Sequence, residues 1–195
     1  MGSTTLEIFE DEAQARARLE AAELSGPFLD VSNTLVVDGT LLASTLGLKA
    51  KSEPKTVAGV LAQAMTRPAA VWWACRVAET EHEGGPTEGE RIALDAAKAW
   101  LQHREQWRAY AAHDAAKQVG LDTPAGCAAL AAFLAGESIG PSHLDPLPPG
   151  AHLSGMATAG AVELAVTRRP PSNLNERWDE VLALGFAIAE GEDGW

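Results

Sequence analysis

Three features of the 195-residue sequence predict a mainly α protein, a compact multi-helix bundle. Alanine occurs 37 times against one tyrosine and four phenylalanines, a balance that lets helices approach closely and gives poor material for a large sheet. Hydrophobic residues make up 46% of the chain, enough at this length for a sizeable core in one domain, or one domain with a small appendage. Apolar residues also recur at helical spacing in one segment after another. The densest segment is Val71-Trp72-Trp73-Ala74-Cys75-Arg76-Val77-Ala78-Glu79, which carries apolar area on nearly every side and is read as the central helix. Two buried tryptophans there would each remove on the order of 200 Å² from water.

In chain order, 10–24 has an alanine and leucine face opposite charged positions and reads as an amphipathic helix ended by Ser25-Gly26-Pro27. The stretch that follows has two readings. Leu35 to Leu42, interrupted by Asp38-Gly39, fits a short β-hairpin near residues 34–43, and an extended loop leading into a short helix at 40–46 fits the same residues. Residues 1–54 therefore read as an N-terminal helix with a variable appendage, and 55–195 as the helical bundle domain. Val57 to Met65 resumes helical spacing, and Pro68 restarts the chain into the tryptophan helix, so these two form a hairpin.

Thr87-Glu88-Gly89-Glu90 has the pattern of a capping box and starts a helix to Leu101, while polar Gln102 to Gln106 marks a corner. A further helix runs to Val119 with Gly120 as its stop, and Thr123-Pro124 caps and opens the next. Gly140 to His152 holds Pro141, Pro146, Pro148 and Pro149, which remove backbone donors, so an extended surface segment is expected. Helices over about 154–166 and 174–190 complete the bundle. Trp72 or Trp73 with Trp100, Phe133 and Leu182 should form one central cluster.

A net charge of −12 repels phosphate backbones and anionic lipid, which argues against nucleic acid and membrane surfaces as partners. The amino terminus has no basic start followed by an apolar stretch, and no run of eighteen apolar residues occurs, so the expected location is the cytoplasm. Cys75 and Cys127 lie within apolar helical patterns, as small buried thiols do.

Motifs for chemistry are sparse. Gly136-Glu137-Ser138-Ile139-Gly140 matches the G-x-S-x-G pattern of serine hydrolases, but that pattern needs a strand before the serine and a helix after it. Here a helix precedes and Pro141 follows. His143, Asp145 and His152 would share a divalent metal if the proline segment curled, though scattered loop residues are the commoner case. His103 and His113 have no nucleophile at motif spacing. Glu79, Glu81, Glu83, Glu88 and Glu90 make either a solvated loop or a surface for a basic partner. No cofactor fingerprint is present.

The segments Val71-Trp72-Trp73-Ala74-Cys75-Arg76, Ala96-Ala97-Lys98-Ala99-Trp100, Pro124 to Phe133, Leu147-Pro148-Pro149 and Leu182 to Phe186 resemble the uncharacterised bacterial DUF6931 proteins over about residues 55–190. Members of that family are often encoded beside type VI secretion components. The resemblance implies an accessory or adaptor role with no assigned catalytic residues. The Ala-Trp and Ala-Ala-His patterns are also similar to helical bacterial immunity proteins, which bind toxins. The expected function is thus a non-catalytic protein-binding protein, with a small hydrolase or metal-dependent enzyme using Ser138 or His143, Asp145 and His152 as the alternative. The expected partner is another protein, a secretion component or a toxin, contacting Leu35, Val36, Val37, Leu41 and Leu42, the apolar stretch that the remaining helices do not need for their core.

Overall fold

The computed structural model describes residues 5–7, 9, 11–24, 52–80, 84–168 and 173–192. The hairpin expected near residues 34–43, and with it Leu35, Val36, Val37, Leu41 and Leu42, lies outside the described residues. Eight helices are found among the described residues. They are α1 (Glu12–Ala21), α2 (Pro54–Ala64), α3 (Arg67–Thr80), α4 (Glu88–His103), α5 (Gln106–Val119), α6 (Pro124–Leu134), α7 (Leu153–Thr167) and α8 (Leu174–Ala189).

The boundaries follow local chemistry. At the start of α4 the Thr87 hydroxyl accepts from Glu90 N while a Glu90 carboxylate oxygen accepts from Thr87 N at 2.9 Å, the reciprocal cap that the sequence predicts. α5 stops at Gly120, whose φ of 92° suits glycine and is strained for any side chain. Three residues on, the Thr123 hydroxyl accepts from Gly126 N at 3.0 Å and Pro124 opens α6. The extended N-terminal residues are tied down as well. Leu6 pairs with Met65 in an isolated antiparallel bridge, and the Thr5 hydroxyl donates to Ala189 O at 2.6 Å, which closes the start of the chain onto the end of α8.

α6 packs against α3, α4, α5 and α7. Nine of its eleven residues are buried, most of them alanine, so it can be surrounded without losing polar contacts. α3 is also buried on several sides, as the sequence predicts, but it divides the interior instead of gathering it. Ala69, Ala70, Trp73 and Val77 face a core shared with α2, α7 and α8, whereas Val71, Ala74, Cys75 and Ala78 face a core shared with α4, α5 and α6. The single tryptophan cluster expected from sequence is therefore two: Trp73 and Leu182 lie in the first core, Trp100 and Phe133 in the second, and partly buried Trp72 touches both. The reason is volume. Small residues along α3 and α6 bring the helix backbones too close to leave room for several large rings in the middle, so the rings fill the two flanks.

Trp73 is fully buried, and its indole N–H donates to Val181 O at 3.0 Å, fixing α8 against α3. The ring lies over Gly185, where an added Cβ would come within 2.7 Å of it and 2.9 Å of Leu61. In an exposed helix, Gly→Ala gains about 1 kcal/mol of propensity. Here the sign reverses, and Gly185→Ala is expected to destabilise by about 1–3 kcal/mol through overpacking. Urea unfolding measures it, and an unchanged or raised midpoint would show that α8 moves freely away from Trp73.

Candidate functional site

The most organised surface feature begins where α6 ends. From α5, the Gln106 side chain reaches the turn beyond α6: its Oε1 accepts from Glu137 N (2.7 Å) and Ser138 N (3.2 Å), and its Nε2 donates to Ser138 O at 2.7 Å. One turn along α5, the Tyr110 hydroxyl donates to Gly140 O at 2.7 Å. The Ser138 Oγ, itself buried, accepts from Gly140 N (3.2 Å) and Leu147 N (3.0 Å), and Ile139 N donates to Leu147 O at 2.9 Å. Residues 141–148 thus form an exposed strap clamped at both ends, with one internal turn from Leu144 N to Pro141 O at 3.0 Å. Pro149 is buried and carries the chain towards α7. On this strap Leu144 and Leu147 are 60% and 58% exposed, and Trp107, beside Gln106 on α5, is 58% exposed with the Arg108 guanidinium 4.3 Å from its ring centroid.

This geometry reassigns Ser138. A nucleophilic serine presents its hydroxyl on a turn at the start of a helix, beside a base. Here both hydrogen bonds to Oγ come from backbone amides of the strap, and α6 lies before the serine. His143 and Asp145 are exposed on the strap, while His152 is half-buried just before α7, with its carbonyl accepting from Gln63 Nε2 at 3.0 Å. No group of three His, Cys, Asp or Glu side chains able to hold a metal occurs among the described residues. Sequence reasoning singled out Ser138 and passed over Gln106, since a lone glutamine in a polar corner carries no motif.

The acidic run resolves into separate roles. Glu79 pairs with Lys98, Glu88 with Arg91 at 2.6 Å, and buried Glu90 with Arg168 at 3.2 Å; Glu81 and Glu83 lie outside the described residues. Both cysteines are free and buried. Burial pushes the Cys75 thiol up to about 12, with Lys98 opposing and Glu79 adding to the shift, and it raises Cys127 as well, which keeps both in the unreactive thiol form.

His103 is exposed at the end of α4. His113 is stacked on Phe133 with ring centroids 4.1 Å apart, and Tyr110 meets the same ring at 6.0 Å. Burial holds the imidazole below its ordinary value of 6.5; Lys117 acts in the same direction and Asp114 opposes.

Two clefts open elsewhere. One, of about 610 Å³, lies between the end of α1, α2 and α7 and is lined by Leu24, Lys55, Gly59, Gln63, Met156 and Glu163 among others. Lys55 and Glu163 pair across it at 2.7 Å. The other, of about 320 Å³, lies where α3 begins and α4 and α6 end, with Arg67, Trp100, Arg104 and Glu137 in its wall.

The fold and this surface define an all-helical bundle that displays a clamped, proline-rich strap, in a chain with no helix among the described residues long and apolar enough to cross a membrane. The model of DUF6931, a family of unknown function, matches residues 46–189, and the chain belongs to that family. Comparison with curated proteins and with solved structures gives no match.

Two outcomes follow from the site. Ser138→Ala leaves the amides of Gly140 and Leu147 without their acceptor, so it should destabilise by about 1–3 kcal/mol in thermal or urea unfolding. Wild-type stability in that variant would remove Ser138 as the anchor of the strap. For His113, the unfolded imidazole takes up a proton at a higher pH than the folded one, so stability present above pH 6.5 should fall as pH drops through and below that value. Melting temperatures at a series of pH values should show this loss in the parent and a weaker one in His113→Gln; equal slopes would assign the loss to other groups.

Proposed function

We propose that this protein is a non-catalytic binding protein that engages another protein through the clamped strap, with Leu144, Leu147 and Trp107 as the contact residues. The observation that carries the reading is the combination of large exposed apolar side chains with a backbone held by seven hydrogen bonds from Gln106, Tyr110, Ser138 and Ile139. Ordering a loop in advance lowers the entropic cost of docking, and an exposed tryptophan beside an arginine is the composition enriched at interface centres. The reading is further supported by Ser138, whose hydroxyl holds the strap in place. An accessory or adaptor role in a bacterial secretion system of type VI kind is the setting that family resemblance suggests for such a binder.

The test is reciprocal co-purification of the tagged full chain with the products of neighbouring genes, comparing the parent with Leu144→Asp/Leu147→Asp. A specific partner retained by the parent and lost by the double variant, at unchanged melting temperature, is the expected result. Retention by both would move the contact elsewhere. Leu35, Val36, Val37, Leu41 and Leu42, the partner contact expected from the sequence, supply a further arm, with all five replaced by serine. If none of the candidate products binds the parent while purified chain turns over an ester or metal-dependent substrate, the binding reading is overturned.

A further inference from the structure

The smaller cleft brings two arginines and two glutamates into one wall. The chain carries 27 acidic residues against 15 lysines and arginines, and basic side chains such as Lys55, Arg91, Lys98, Arg108, Lys117 and Arg168 have carboxylate partners. Arg67 and Arg104, both in the wall of this cleft, have no ion-pair partner among the described residues, although Glu7 and Glu137 line the same cleft. Arg18 of α1 lies within electrostatic reach of both Glu7 and Arg67. In a chain with so many carboxylates, two unpaired guanidinium groups reflect placement, not shortage.

The backbone adds donors. α3, fourteen residues long, starts in the cleft at Arg67. Its first intrahelical bond runs from Ala70 N to Thr66 O at 2.9 Å, and Pro68 has no N–H, so the amides of Arg67 and Ala69 open the helix at its positive end. Independently of the helix, Trp100 lies in the cleft wall at 3% exposure, and its indole N–H meets no acceptor among the described residues. A buried N–H without an acceptor costs free energy comparable to a lost hydrogen bond, and an acceptor supplied from the cleft would recover it. Two guanidinium groups, a helix start and an orphan indole N–H are all donors, and their common complement is an oxyanion.

We propose that this cleft binds a small oxyanion, a carboxylate or phosphate group, held by Arg67, Arg104 and the start of α3 with Trp100 N–H as a further donor. The site is separate from the strap and does not depend on its role. Arg104 makes the test clean, because it occupies a left-handed conformation (φ 51°, ψ 24°) at the C-cap of α4. Glycine adopts that conformation without strain, so Arg104→Gly removes the cation while leaving the fold at least as stable.

Full-length protein labelled with ¹⁵N is titrated with inorganic phosphate and, separately, with acetate, at ionic strength fixed by chloride. The Trp100 indole resonance is assigned by its loss in Trp100→Phe. The expected result is a saturable downfield shift of that resonance with at least one of the two anions, weakened about tenfold or more in Arg104→Gly at unchanged melting temperature. Which anion gives the tighter curve identifies the ligand chemistry. A shift that is absent with both anions, or equally tight in Arg104→Gly, overturns the proposal. A shift that follows ionic strength alone, with chloride as effective, overturns it too, since that is screening and not binding.

Discussion

Close approach of α6 to four neighbouring helices is the constraint on which the rest of the structure depends. A helix lined with leucine holds its neighbours at the far end of the usual interaxial range, whereas alanine and glycine let backbones come near its lower limit. α6 uses Ala125, Gly126, Ala128, Ala129, Ala131 and Ala132 for this purpose, all of them buried. α3, α4, α5 and α7 therefore converge on one slender rod, and the large side chains are displaced to the flanks. Crowding at the two ends of the rod is relieved by special chemistry. At its start a Cβ on Gly126 would meet Gly120 O at 2.0 Å, so only glycine fits there. At its finish the chain leaves through the turn that Gln106 holds.

This architecture explains which parts of the fold were legible in the sequence. Helix starts and stops depend on neighbours within four residues, and the patterns Thr87 to Glu90, Gly120 and Thr123-Pro124 act in the structure as their local chemistry predicts. The destination of a large side chain depends on the distance between backbones, which helical spacing does not encode. Helical spacing for that reason points to one cluster of Trp72 or Trp73 with Trp100, Phe133 and Leu182, where the structure keeps two. The alanine count carried the missing information in principle: a bundle packed at short distance has little central volume to fill. Which faces of α3 would be divided still required the three-dimensional arrangement.

The strap and the cleft illustrate a second limit. Ser138 attracts attention because G-x-S-x-G is a pattern with chemistry attached, yet the same hydroxyl also accepts hydrogen bonds, and the arrangement of the chain decides between the two uses. A serine placed after a helix and before prolines is surrounded by backbone amides that have no ladder to join. Satisfying them is the stronger demand in a buried turn. Gln106, with one acceptor and two donors at the end of its side chain, does the same for three groups of the turn, across 31 and 32 residues of sequence. Such long-range amide anchors are invisible to spacing rules because their partners are main-chain atoms, which every residue has.

The cleft and the strap meet in one short stretch of chain, and this links the two features physically. Ala135, Gly136 and Glu137 line the cleft, and Glu137 N and Ser138 N are the two amides that Gln106 accepts from. Gly136 is confined from both sides, since an added Cβ would lie 2.9 Å from Ala109 and 3.0 Å from Gln106 Oε1. The turn is thus fixed against α5 by packing as well as by hydrogen bonds, and neither surface can shift without disturbing the same three residues. Contacts of this kind satisfy the backbone groups of the turn and at the same time cost it conformational freedom. The cleft on one side and the strap with its two exposed leucines on the other are therefore held by the same few residues.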